Sequence, residues 1–196
     1  QAVYDIVDMI WVGRISASAV AGVTIFSTVF WLVSVLNEII GSSSISLITQ
    51  SYGKGDMGKT QKIVEQTLTF KALVAIIAAI IMSFILKPLL GFFTDDMEVL
   101  QAALDYGYIR MFFLPIMFSS YSVNTALRCL GDTKTPMKIM IVSSIINIVL
   151  DPIFMFEIIP GTNIPGFNMG VFGAALATVI STVVAFLIGF YILLKG

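Results

Sequence analysis

Residues 170–194 carry no charged side chain, and the run is broken only by Lys195. As a helix this stretch is about 37 Å long, enough to cross the ~30 Å hydrocarbon core of a bilayer. In lipid every backbone N–H and C=O must find a partner inside the protein, so an apolar run of this length folds as a helix. The rest of the chain agrees. Of 196 residues 58% are hydrophobic and 12% are charged, about half the charged share of a soluble domain. The mean hydropathy is +0.98. The net charge of −1 gives no basis for binding nucleic acid. There is no His, which removes the commonest general base and metal ligand. Cys129, the only cysteine, cannot form an internal disulfide or a thiolate metal cluster. The chain opens on Gln1 with no secretory-signal pattern, as a piece that starts inside something longer would.

Six apolar segments are predicted, over 1–12, 19–52, 63–87, 98–129, 136–158 and 170–194. The first is too short to span and reads as the end of a helix. The second is so long, about 50 Å as a helix, that it must tilt or protrude. Pro115 predicts a kink in the fourth segment. Thr135 and Pro136 predict the start of the fifth, as N-cap and first helical residue. In the last segment Gly173, Ala177, Ser181, Ala185 and Gly189 recur every four residues, a stripe that lets another helix approach closely.

Basic residues predict the orientation. Lys54, Lys59, Lys62, Arg128, Lys134, Lys138 and Lys195 fall on one side, which is read as cytoplasmic. That side holds the loops near 53–62 and 129–138 and the C-terminus. Arg14 and Lys87 fall on the other side, where Asp95, Asp96 and Glu98 make one loop acidic. The stretch GKGDMGKT at 53–60 fits the phosphate-binding pattern G-x-x-x-x-G-K-[ST]. A phosphate cradle of that kind follows a buried strand and opens a helix. Here apolar helices flank it, so it reads as a turn that binds no nucleotide.

Charge inside the apolar segments is costly and needs a partner or a use. Asp8 has Tyr4 one turn before it, and Asp151 has Asn147 one turn before it. With Thr178, counted from the segment ends, they lie about 8–12 Å below the outer boundary on three helices. Pro152 has no N–H, leaves the Ile148 carbonyl without its helical partner and bends the helix beside Asp151. Carboxylate, amide and carbonyl oxygens at one level suit a hard cation, while paired carboxylates suit a proton. Both H⁺ and Na⁺ stay open, as does a plain role in hydrogen bonding to helix ends. Glu38 is read either as a second proton site or as a carboxylate solvated in an inner cavity. Lys71 is expected to snorkel to the inner surface, and Arg110 to snorkel or to meet another helix.

These residues resemble a family. YDIVDMIWVGRI looks like the end of the first helix of the multidrug and toxic compound extrusion (MATE) transporters. LGDTKTPMKIMIVSSIINIVLDPIFMF is similar to their fourth-to-fifth helix junction and fifth helix. GVFGAALATVIS resembles the opening of the sixth helix, and SYGKGDMGKT the second inner loop. The resemblance implies an all-α membrane protein: a six-transmembrane-helix lobe with its first helix truncated, half of a twelve-helix transporter. It implies uptake of Na⁺ or H⁺ driving efflux of organic, often cationic and aromatic, drugs, with no other cofactor and with a C-terminal six-helix lobe as partner. Carried over residue by residue, the implied cation site falls on Asp8, Asn147, Asp151 and Thr178, with Tyr4 beside Asp8.

Two other readings remain. A lipid-linked-precursor flippase of the same broader fold would favour a strongly cationic central cavity. A non-transporting half-domain would act as an interaction module. In all of them the chain is a multi-pass cell-membrane protein and not an enzyme.

Overall fold

The computed structural model describes residues 2–195, with side chains from residue 6 onward. Seven helices follow one another: α1 (Ala2–Val12), α2 (Ala17–Gly53), α3 (Met57–Gly91), α4 (Met97–Phe112), α5 (Leu114–Cys129), α6 (Lys134–Met155) and α7 (Gly170–Lys195). The described residues contain no strand, only an isolated antiparallel bridge between Ile158 and Pro165. The helices α2, α3, α6 and α7 are long and apolar enough to cross a membrane. Their outward faces carry large apolar side chains such as Leu32, Ile77, Phe84, Ile141 and Leu187, the surface a lipid solvent requires.

Local chemistry sets the helix ends. Ser16 is extended, and its Oγ accepts from the Ala19 N–H at 3.0 Å to start α2. At the other end of α2 the GKGDMGKT stretch forms a tight turn between two long helices. Gly55 takes a φ of +74°, which only glycine adopts at no steric cost. Asp56 then caps α3 by accepting from the Lys59 N–H at 3.0 Å. A 37-residue helix stands where a phosphate cradle would need a strand.

Three boundaries differ from the sequence expectation. The 98–129 segment is two helices, α4 and α5, parted at Phe113. Pro115 has no N–H for the Met111 carbonyl, and the Phe113 carbonyl accepts from both Ile116 and Met117 at 3.1 Å. The 63–87 segment extends to 57–91, because Asp56 starts the helix early and Pro88 is tolerated near its end. The 136–158 segment runs instead over 134–155. Its N-cap position is not Thr135 but Thr133, and Asp132, one residue earlier, supplies the capping oxygen: its Oδ1 accepts from the N–H groups of Lys134 at 3.1 Å and Thr135 at 2.9 Å. The Thr135 hydroxyl, followed by the backbone N–H groups of Thr135 and Lys134, holds the Asp132 carboxyl below the ordinary aspartate range.

Packing is closest where side chains are smallest. The stripe Gly173, Ala177, Ser181, Ala185 and Gly189 is buried throughout. A Cβ on Gly173 would stand 2.7 Å from the Phe154 carbonyl carbon and oxygen, so α7 lies directly on the backbone of α6. Lower on the same contact the Ser143 hydroxyl donates to the Ser181 carbonyl at 2.7 Å. Gly22 does the same for α2 and α4, where a Cβ would meet the Val99 carbonyl oxygen at 2.7 Å. The α6–α7 connection folds back on the end of α6: the N–H groups of Phe167, Met169 and Asn168 donate to the carbonyls of Ile153, Phe154 and Phe156. Trp11 of α1 meets Phe156 edge-on, with ring centroids 6.0 Å apart.

Two outcomes follow from these contacts. Gly173→Leu is expected to destabilise the bundle by roughly 1–3 kcal/mol or more through overpacking, read as a lower thermal midpoint in detergent than for Gly173→Ala. The Asp132 cap has a depressed folded-state pKa, so its contribution is complete above the unfolded value of about 3.9 and is lost as pH falls through the folded value. The protection of the Lys134 and Thr135 amides, taken relative to intrinsic exchange at each pH, should therefore fall in acid, below about pH 4, and Asp132→Asn should flatten that response.

Candidate functional site

Four helices bring oxygen-bearing side chains to one buried point. Asp8 comes from α1, Asn147 and Asp151 from successive turns of α6, Thr178 from α7 and Tyr106 from α4. Asp8 is 1% exposed, Asn147 and Asp151 0% and Thr178 3%. Asn147 sits at the centre. Its Nδ2 donates to Asp151 Oδ1 at 3.1 Å and reaches Asp8 Oδ1 and Thr178 Oγ1 at 3.5 Å. The Thr178 hydroxyl lies 2.9 Å from Asp8 Oδ2, and the Tyr106 hydroxyl donates to the same oxygen at 2.8 Å. Arg110, one turn after Tyr106, donates from Nη1 to the phenol oxygen at 2.8 Å, and its guanidinium covers the Phe30 ring of α2 at 4.8 Å.

Two acceptors in this group have no hydrogen-bond partner among the described residues: Asn147 Oδ1 and Asp151 Oδ2. A buried oxygen without a donor is costly, by roughly 1–3 kcal/mol. The charges also leave a remainder. Ionised Asp8 and Asp151 carry two negative charges, and Arg110, acting on Asp8 directly and through Tyr106, supplies one positive charge. One monovalent cation would balance the sum and use the two idle oxygens. A fully matched ion pair would leave neither feature.

Of the residues singled out in the sequence, Asp8, Asn147, Asp151 and Thr178 meet here. Pro152 lies inside α6 beside Asp151. Tyr4 falls outside the residues whose side chains are described. Pro115 belongs to the α4–α5 break. Glu38 is exposed on α2 and joins none of these hydrogen bonds. Lys71 does not snorkel. It is 1% exposed, with Nζ against Gly41 of α2 and 5.5 Å from the centre of the Tyr121 ring of α5. The small Gly41 opposite leaves the ammonium room inside. Tyr106 is absent from the sequence reading. Its only signal there is its position four residues before Arg110, on the same face of an apolar helix.

The MatE family model matches residues 1–153 of the chain. The chain belongs to the MatE family. A probable multidrug resistance protein of Bacillus subtilis strain 168, YoeA, is 36% identical over 190 residues, which are 96% of this chain and 40% of that protein. A crystal structure of MATE in the bent conformation superposes with a TM-score of 0.86 at 28% identity, over 96% of this chain and 40% of the other. An inward-facing multidrug resistance MATE family transporter of the MOP superfamily gives the same TM-score at 28% identity, over 97% of this chain and 41% of the other. This MatE chain thus spans about two fifths of the length of the relatives it matches.

Tyr106→Phe keeps the ring but removes the hydroxyl that joins Arg110 to Asp8. It is expected to cost about 1–3 kcal/mol, read as a lower thermal midpoint, with a larger loss than Tyr108→Phe, a change at a more exposed tyrosine of the same helix.

Proposed function

We propose that this chain is the cation-binding, N-terminal six-helix lobe of a cation-driven exporter of small organic molecules. The observation that carries the reading is the buried group around Asn147, with one negative charge in excess and two idle acceptor oxygens. In this reading α1 is the end of the first membrane helix, and α4 with α5 forms one broken span. The basic loops near 53–62 and 129–138 face the cytoplasm, which puts the site in the outer half of the bilayer. The names of relatives such as the probable multidrug resistance protein YoeA support drugs as cargo.

The mechanism follows from where the ligands sit. Asp8 belongs to α1, Asn147 and Asp151 to α6, and Thr178 to α7. A cation held between them favours the arrangement in which the three helices converge, and its loss leaves two carboxylates to repel one another. Binding thereby biases the positions of α1 and α6 against α7 by its differential affinity for the two arrangements. Pro152, one residue after Asp151, removes a backbone bond of α6 where that bend is needed. Either Na⁺ or H⁺ meets the charge requirement.

The test is export by the full-length protein in proteoliposomes, with imposed Na⁺ and H⁺ gradients in turn. Asp8→Asn and Asp151→Asn are each expected to lower gradient-driven export at least tenfold while the protein still folds and inserts. Unchanged export with unchanged ion dependence in both variants would sink the proposal.

A further inference from the structure

Lys71 is a buried charge that takes no part in the carboxylate group. It is 1% exposed, yet among the described residues its ammonium makes no hydrogen bond and no ion pair. A Cβ on Gly41 of α2 would stand 3.1 Å from Nζ, and the Tyr121 ring of α5 is centred 5.5 Å away. A ring at that distance offsets part of the cost of burial. It does not supply the counter-charge that a buried ammonium needs. No acid on the surrounding helices supplies it either. Glu38 of α2 is exposed, Glu65 of α3 is exposed and accepts from Gln61 at 3.0 Å, and α5 has no acidic residue.

Lys71 faces instead a small cavity of about 10 Å³ between α2, α3 and α5. That space holds one particle the size of a water molecule. Ile48, Val64 and Ala126 pack together and wall it with hydrocarbon. The rest of the lining includes four hydroxyls, those of Ser44, Thr67, Ser122 and Thr125. Three of them donate within their own helices: Ser44 to the Ile40 carbonyl at 3.0 Å, Ser122 to Phe118 at 2.8 Å and Thr125 to Tyr121 at 2.9 Å. Thr67, one turn before Lys71 on α3, makes no hydrogen bond among the described residues. Its hydroxyl proton and the three ammonium protons are therefore unused donors around one small space.

We propose that this cavity binds one monatomic anion, a halide such as chloride, held by the Lys71 ammonium and the Thr67 hydroxyl. Space for a single water-sized particle excludes sulfate, phosphate and organic carboxylates. A water molecule fits and could bridge the ammonium to the hydroxyl oxygens, but it leaves a buried positive charge unbalanced. The halide supplies the missing charge and ties the two long helices α2 and α3 to α5. Its site shares no residue with the carboxylate group, so it does not rest on the export reading.

Thermal unfolding of the purified full-length protein tests this, with chloride replacing gluconate at constant sodium and ionic strength. Gluconate is too large for the cavity. The midpoint is expected to rise by several degrees and to saturate, as it does for a ligand of the folded state. Bromide should act like chloride. Lys71→Met, of similar length but uncharged, should remove the rise. Thr67→Val should need about tenfold more chloride for half the rise, the loss of one hydrogen bond to a charged group. Crystals of the wild-type protein grown in bromide should show an anomalous peak within hydrogen-bond reach of Lys71 Nζ, a readout that holds even if Lys71→Met does not fold. Equal midpoints in chloride and gluconate, a rise that survives in Lys71→Met, or a cavity holding water and no bromide overturns the proposal.

Discussion

Two carboxylates buried among apolar helices are the constraint that the rest of the structure serves. Neither Asp8 nor Asp151 has measurable contact with solvent, and the surrounding helices have only hydrocarbon to offer except where a polar side chain is aimed inward. Asn147 answers both carboxylates with one amide, and Thr178 and Tyr106 answer Asp8 from two further helices. The hydrogen bonds are therefore also the ties between α1, α4, α6 and α7. Removing any one donor weakens the support of a buried acceptor and loosens a helix contact at once.

That arrangement requires the helices to be close, and the small residues of α7 allow it. Gly173 rests on the backbone of α6 three residues past Asp151. Ser143 and Ser181 tie the same pair lower down. With larger side chains at these positions, Thr178 would stand too far from Asp8 for its hydroxyl to bond. In lipid there is little hydrophobic gain from bringing helices together, so close packing and inward hydrogen bonds must supply the cohesion. The stripe and the carboxylate group solve one problem together.

Much of this was legible in the chain itself. Apolar runs of spanning length force helices, and counting residues from their ends puts Asp8, Asn147, Asp151 and Thr178 at one level, the same four residues that meet in the structure. Level along a helix is nearly independent of which way the helix is turned, so counting reaches it. Facing is harder. Tyr106 was passed over because a tyrosine in an apolar helix is ordinary, and only its phenol's link from Arg110 to a different helix makes it part of the site. Lys71 was expected at the surface because its stem can reach it. The room left by Gly41 and the ring of Tyr121 lies on other helices and cannot be read from the neighbours of Lys71 in sequence. The boundary differences are local: Asp132, just outside the N-cap position, starts α6 early because its carboxylate accepts from two N–H groups at once, and Pro115 breaks its helix outright.

The unequal lengths of the helices have a mechanical meaning. Helices α2 and α3 are 37 and 35 residues long, whereas α6 has 22, so the first pair is about 20 Å longer than the helix that carries the carboxylate and amide ligands. Tied by the tight turn at Gly55, the pair forms a stiff lever about 55 Å long. Pivoted near its Ser16 end, a tilt of about 10° sweeps the far turn through roughly 9 Å, given the 1.5 Å rise per residue. A small tilt at one end of the pair would thus be enlarged at the other by its length alone.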